Sequence, residues 1–165
     1  MELGFGDVIS VLLPFATELN MTEQENEKIV RQAYAAYLEA NLEAVLNLCS
    51  EDTEWLACGP PDDLPYAGRH SGRQQVARYF AILDDAEESN HLVAQEFVSS
   101  GEKVIVFGNY KARVNANGRR FETDFVHVFT LRGGKIVNFR DYYDTAAAVE
   151  AYRAAPDEGF TGVTE

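Results

Sequence analysis

His127 and Asp141 are the two side chains on which acid–base chemistry could rest in this sequence, and each interrupts a stretch that is otherwise apolar at every second position. A carboxylate in apolar surroundings resists ionisation, whereas a nearby imidazolium or hydroxyl donor favours it. Such a pair can therefore be tuned toward neutral pH as general acid and general base. Tyr110, in the neighbouring alternating stretch, adds a phenol that could donate to a developing oxyanion. The same pattern also suits a structural pair in which a core histidine is satisfied by a carboxylate, because buried pairs also serve structure.

Strands must carry these residues, and the spacing predicts four of them, over 92–99, 103–114, 121–131 and 135–143. The links between them hold turn chemistry, Ser100-Gly101-Glu102, Asn117-Gly118 and Arg132-Gly133-Gly134, so the expected arrangement is an antiparallel meander. A two-residue turn at Asn117-Gly118 would set Tyr110 opposite Phe125 and Gly108 opposite His127. A three-residue loop at Arg132-Gly133-Gly134 would set Phe125 opposite Asp141, making His127 and Asp141 diagonal neighbours. A two-residue Gly133-Gly134 turn would flip the last strand and send Asp141 outward; the longer loop is preferred because it sends Val137 and Phe139 inward. One sheet face is then apolar, with Phe125, Phe129, Phe139 and Tyr143 as candidate pocket walls. The opposite face, with Ile105, Phe107, Val126, Val128 and Tyr142 among charged residues, suits a surface partly covered by a second copy of the chain.

Helices must cover the apolar face. Thr22 followed by Glu25 is a capping box, and apolar residues from Ile29 to Leu48 recur at helical spacing with a break near Asn41. A short strand over 53–58 carries Trp55. The breaker-rich run 59–68 is an ordered loop whose Leu64 and Tyr66 could fold over a ligand. Further helices are expected over 73–84 and 145–153. Helices first and a curved antiparallel sheet afterwards define an α+β domain over 21–153, with a loose extension at 1–20 and a tail at 154–165.

The chain has 165 residues and a formal net charge of −13. Residues 1–68 carry thirteen acids against Lys28 and Arg31, whereas 69–165 are near balance. A phosphate backbone needs a basic surface, so nucleic acid is not the expected partner. The apolar run from Val8 to Ala16 follows Glu2 and Asp7 and falls short of the roughly 20 residues that span a bilayer, so no membrane partner is expected. Cys49 and Cys58 lack metal-ligand spacing and read as reduced thiols of a cytoplasmic protein. Dinucleotide, Walker-type, nucleophile-elbow and zinc-protease motifs are absent, and neither cofactor nor metal is expected.

Several phrases resemble the nuclear-transport-factor-2-like (NTF2-like) superfamily, and within it the SnoaL-like and ketosteroid-isomerase-related proteins. They are Ser50-Glu51-Asp52-Thr53-Glu54-Trp55, Leu64-Pro65-Tyr66-Ala67-Gly68, Phe121-Glu122-Thr123, His127-Val128-Phe129, and Gly134-Lys135-Ile136-Val137 leading to Arg140-Asp141-Tyr142-Tyr143-Asp144-Thr145. The resemblance implies a conical barrel-like fold, with N-terminal helices packed on a curved antiparallel sheet around an apolar pocket, in a homodimer joined through the outer sheet face. In SnoaL-like cyclases a His and an Asp on adjacent strands serve an intramolecular aldol closure, and His127 and Asp141 match those places. Limonene-epoxide hydrolases end in a similar Arg-Asp-Tyr phrase, but their remaining site residues would fall near Gly108, Tyr110, Trp55 and Ala57, which disfavours that reaction. Two readings stay open. One is a cofactor-free isomerase, cyclase or lyase that uses Asp141, His127 and Tyr110 on an apolar substrate held by Trp55, Tyr66, Phe125, Phe129, Phe139 and Tyr143. The other is a non-catalytic ligand-binding or dimerisation module with the same pocket.

Overall fold

The computed structural model describes residues 21–156, 158 and 159. The expected extension at 1–20 lies outside the described residues. Thr22 caps α1 (Glu23–Leu38) through the capping box: its hydroxyl accepts from the Glu25 amide, and the Glu25 carboxylate accepts from the Thr22 amide. Ala40 turns the chain through a left-handed conformation (φ 55°), and Asn41 caps α2 (Leu42–Leu48). β1 (Cys49–Ala57), β2 (Gly68–Ser71), α3 (Gly72–Ala86), β3 (Glu87–Ser100), β4 (Lys103–Val114), β5 (Arg120–Arg132), β6 (Lys135–Tyr143) and α4 (Thr145–Arg153) follow.

The six strands form one sheet in the order β2-β1-β6-β5-β4-β3, with α1 across β3 and β4, α3 against β1, and α4 against β5. The sheet is mixed rather than antiparallel throughout, because β1 runs parallel to β6. The reason is topological. The intervening segment includes α3 and four strands, long enough to bring the chain back in the same direction beside β1, a connection no hairpin could make. The 59–68 loop folds inward as expected, and Leu64 and Tyr66 are both buried.

Several sequence expectations about the strands change: β1 begins at Cys49 rather than at 53, and β2 over Gly68–Ser71 is an additional strand at the end of the run read as loop. β3 begins at Glu87, straight off the end of α3, rather than at 92. The β4–β5 connection is longer than two residues: Val114 pairs with Arg119 through its amide, so the register moves by two and Tyr110 faces Thr123, while Val106 faces His127. The cause is Asn117, which is buried and donates to the carbonyls of Ala151 and Ala154 at the end of α4 instead of serving in a tight turn. A shift by two leaves every side chain on its expected face.

At the β5–β6 end, Gly133 and Gly134 form a two-residue turn with both φ values positive (53° and 75°), as a type I′ turn requires. The expected three-residue loop is therefore wrong. Asp141 nevertheless stays inside, because the register shifts between Thr130 and Leu131 and one extra residue, Val137, is accommodated on β6. The bulge also buries Ile136, which alternation had placed on the outer face.

Candidate functional site

β5 and β6 put His127 directly opposite Asp141, closer than the diagonal relation expected. Nε2 of His127 lies 3.2 Å from Oδ1 of Asp141, with only 13% and 15% of the two side chains exposed. The ring N–H is not aligned for a hydrogen bond, and Oδ1 of Asp141 is a buried oxygen that accepts none from the described residues. The contact is thus chiefly electrostatic, and the carboxylate keeps acceptor capacity for a ligand.

The imidazole is held on its other edge. Tyr34 of α1 places its hydroxyl 2.6 Å from Nδ1 of His127. Phe125 stacks on the imidazole with ring centroids 4.0 Å apart, and Phe139 meets it edge-on at 5.0 Å. Trp55 packs against Phe139 at 4.3 Å, which fixes that wall from β1. Burial, helped by the negative charge of Asp141, pushes the Tyr34 phenol above its ordinary range, so Tyr34 holds its proton at neutral pH.

All nine residues expected from the sequence line one cavity: Asp141, His127, Tyr110, Trp55, Tyr66, Phe125, Phe129, Phe139 and Tyr143. They divide between two polar groups. Tyr110 does not turn toward Asp141; its hydroxyl donates to Oε2 of Glu87 at 2.8 Å, and Tyr152 donates to Oε1 at 2.8 Å. Tyr143 donates to the Tyr66 hydroxyl at 3.4 Å. Glu87 is 5% exposed. Burial pushes its carboxyl above the usual range; the hydroxyls of Tyr110, Tyr66 and Tyr152 pull it partly back, and Asp141 adds to the upward push.

Sequence reasoning missed Tyr34 and Glu87. Tyr34 belongs to the apolar stripe of α1, where an aromatic at helical spacing reads as core, and only its hydroxyl marks it out. Glu87 opens a polar run, Glu87-Glu88-Ser89, that carries no pattern of burial. The cavity measures about 100 Å³. One water needs roughly 10–15 Å³, so the space suits a small organic molecule of one or two rings. Among the described residues neither Lys nor Arg lines it.

Helices over one face of a strongly curved mixed sheet, closed around a deep aromatic pocket with buried acids and a histidine, define an NTF2-like α+β pocket protein. A SnoaL-like domain matches residues 30–139, two thirds of the sequence, and the chain belongs to that family. An NTF2-like protein of Burkholderia xenovorans is similar at 34% identity, covering 81% of this chain and 99% of its own, with a TM-score of 0.74. An NTF2-like protein of unknown function from Burkholderia pseudomallei is 28% identical over 81% of this chain and all of its own, with a TM-score of 0.73. TerC, crystallised with polyporic acid, is 25% identical over 79% of this chain and 99% of its own, with a TM-score of 0.71. Among the described residues no helix is long and apolar enough to cross a membrane.

Proposed function

We propose that this chain is a cofactor-free acid–base catalyst of SnoaL-like type, an isomerase or cyclase that moves a proton next to a carbonyl of an apolar substrate. Asp141 accepts the proton, His127 beside its Oδ1 adjusts the charge, and Tyr34 holds the imidazole in place. The observation that carries the reading is the Asp141 carboxyl, which lines an aromatic cavity with 15% of its side chain exposed and has Nε2 of His127 3.2 Å from its Oδ1. Tyr143 lines the same cavity, and its hydroxyl exchanges the long 3.4 Å bond to Tyr66 for one to the developing oxyanion. Tyr110, tied to Glu87, serves the opposite end of the cavity instead.

The test is solvent-deuterium incorporation at the carbon next to the carbonyl of 2-tetralone, a two-ring ketone, followed by mass spectrometry. A positioned general base contributes about 10²–10⁴ in rate. The native chain should accelerate exchange, and Asp141→Asn should lose that acceleration by about two orders of magnitude or more. Exchange by Asp141→Asn at the native rate would refute the assignment. A second reading, a non-catalytic ligand-binding module, is supported by TerC, whose crystals hold polyporic acid. It predicts no exchange by either form, with a ligand retained in native mass spectra.

The assembly proposed is a cytoplasmic homodimer joined through the outer sheet face. Val93, Val98, Phe107 and Tyr142 lie on that face, each about 40% exposed (41%, 41%, 40% and 42%). The free thiols of Cys49 and Cys58 suit a reducing compartment. Sedimentation at twice the chain mass supports the dimer; sedimentation at one chain mass refutes it.

A further inference from the structure

The cavity has a second polar end that the acid–base step does not use. We propose that Glu87, with the tyrosines around it, is a recognition subsite for a hydrogen-bond-donating head group on the ligand, a hydroxyl or an ammonium, and that organic anions are excluded from the pocket. The proposal rests on the pocket reading above and names the class of molecule that enters it.

Three observations carry it. First, Glu87 is almost wholly buried yet lines the cavity, so its carboxylate meets either the ligand or the tyrosines. Second, the neighbouring phenols spend their protons inward: Tyr110 and Tyr152 each donate to one carboxylate oxygen of Glu87. A carboxylate has about four lone-pair sites, so two such bonds leave acceptor capacity on both oxygens. The hydroxyl groups whose O–H already donates to Glu87 can otherwise only accept, so this end of the cavity offers acceptors and asks for a donor. Third, among the described residues the ionisable acids and bases of the lining are two carboxyls, Glu87 and Asp141, against one imidazole, and neither Lys nor Arg lines the cavity. An anionic head would meet like charge without a dedicated cation. A hydroxyl or ammonium meets acceptors, and an ammonium is further held by the faces of the surrounding tyrosines.

The geometry also explains why two ends are needed. Asp141 stands on β6 and Glu87 at the start of β3, three strands apart in the sheet order, with the Tyr66–Tyr143 hydroxyl contact on the tyrosine side. A ligand whose donor is fixed at Glu87 presents its other end to Asp141 in a single orientation, which is how a small number of polar groups confer specificity on an apolar pocket.

Three probes that share one ring system and differ only in the head test this: 2-naphthol, 2-naphthylmethylamine and 2-naphthoate, titrated into the full chain at neutral pH and read by emission of Trp55, the single tryptophan and a residue of the pocket wall. The hydroxyl and ammonium probes should each bind about tenfold or more tighter than the carboxylate, since like-charge juxtaposition costs several-fold to many-fold in affinity. Glu87→Gln should weaken the ammonium probe by about tenfold and narrow the gap to naphthoate. Equal or tighter binding of naphthoate by the native chain, no binding by any probe, or an unchanged ranking in folded Glu87→Gln would overturn the proposal. The native ranking needs no variant, so the test survives if Glu87→Gln fails to fold. Loss of deuterium exchange from the native chain would refute the acid–base step while leaving the ranking of probes intact, and the converse result would do the opposite.

Discussion

Replacing Tyr34 with Phe removes one oxygen and nothing else from the site. The ring stays packed, since its contacts with Phe97 (5.9 Å) and Phe129 (6.0 Å) and its parallel face toward His127 (6.0 Å) involve carbon atoms. What disappears is the 2.6 Å hydrogen bond to Nδ1 of His127. Because burial and the charge of Asp141 keep the Tyr34 phenol protonated, a neutral His127 accepts at Nδ1 and carries its own proton at Nε2, on the side of Asp141. Tyr34 thus favours the tautomer whose N–H lies toward Asp141. Leaving a buried ring nitrogen without its partner costs about 1–3 kcal/mol. For a chain of this size each kcal/mol lowers the melting temperature by about 2–4 °C, so Tyr34→Phe should melt about 2–12 °C below the native chain. Calorimetry reads the loss, and the imidazole nitrogen shifts of His127 read its cause: in the native chain Nδ1 is the unprotonated, hydrogen-bonded nitrogen, and in the variant that signature is lost. A melting temperature within about 1 °C of native, together with unchanged nitrogen shifts, would refute the assigned role.

Two further outcomes follow from the same walls. A Cβ at Gly108 would lie 2.2 Å from Cζ of Phe125 and 2.3 Å from the backbone oxygen of Val93, and the latter cannot move without breaking the β3–β4 ladder. Gly108→Ala should therefore cost at least about 1–3 kcal/mol, the usual penalty of overpacking, and shift the ring of Phe125 from His127; native stability in urea would count against it. Glu87 has its folded-state value raised above 4.5 by burial, so the folded chain retains a proton that the unfolded chain has released. Its favourable contribution is fully present below pH 4.5 and lost as pH rises through the raised value, so native stability relative to Glu87→Gln should decline across that interval and level off above it. Urea titrations at successive pH values check this, and a difference that does not change with pH would contradict the burial argument.

The elements were largely legible because local chemistry marked them. Thr22 and Glu25 announce α1, the break near Asn41 separates α1 from α2, and α4 over Thr145–Arg153 matches its expected bounds. What local pattern could not show was pairing at a distance. Nothing in Cys49–Ala57 says that this strand runs parallel to β6, because the partner lies some eighty residues further along the chain. Asn117-Gly118 has the composition of a tight turn, yet Asn117 is drawn into a tertiary role by the carbonyls that end α4. β3 was begun too late because the residues from Glu87 to His91 lack alternation; Glu87 is buried there by tyrosines from other elements rather than by its own strand.

The site was legible for a reason that differs from the one first argued. His127 and Asp141 were expected to meet through a three-residue loop, and they meet through a two-residue turn followed by a bulge. With the turn alone, Arg140 would face His127 across the ladder, Asp141 would point to the outer face, and a guanidinium would enter an aromatic cavity. The extra residue at Val137 reverses that parity, so the alternation of apolar residues on β6, read outward from Phe139, locates Asp141 correctly even when the turn is misjudged. The requirement that apolar side chains face inward is therefore the stronger constraint of the two, and the turn and bulge accommodate it. The same requirement says nothing about Tyr34 and Glu87. Those two groups, one from α1 and one from the junction of α3 and β3, set the tautomer at one end of the cavity and the acceptor character of the other. The strands supply a pair that is common to the fold, while the chemistry that distinguishes this pocket comes from the elements that close over it.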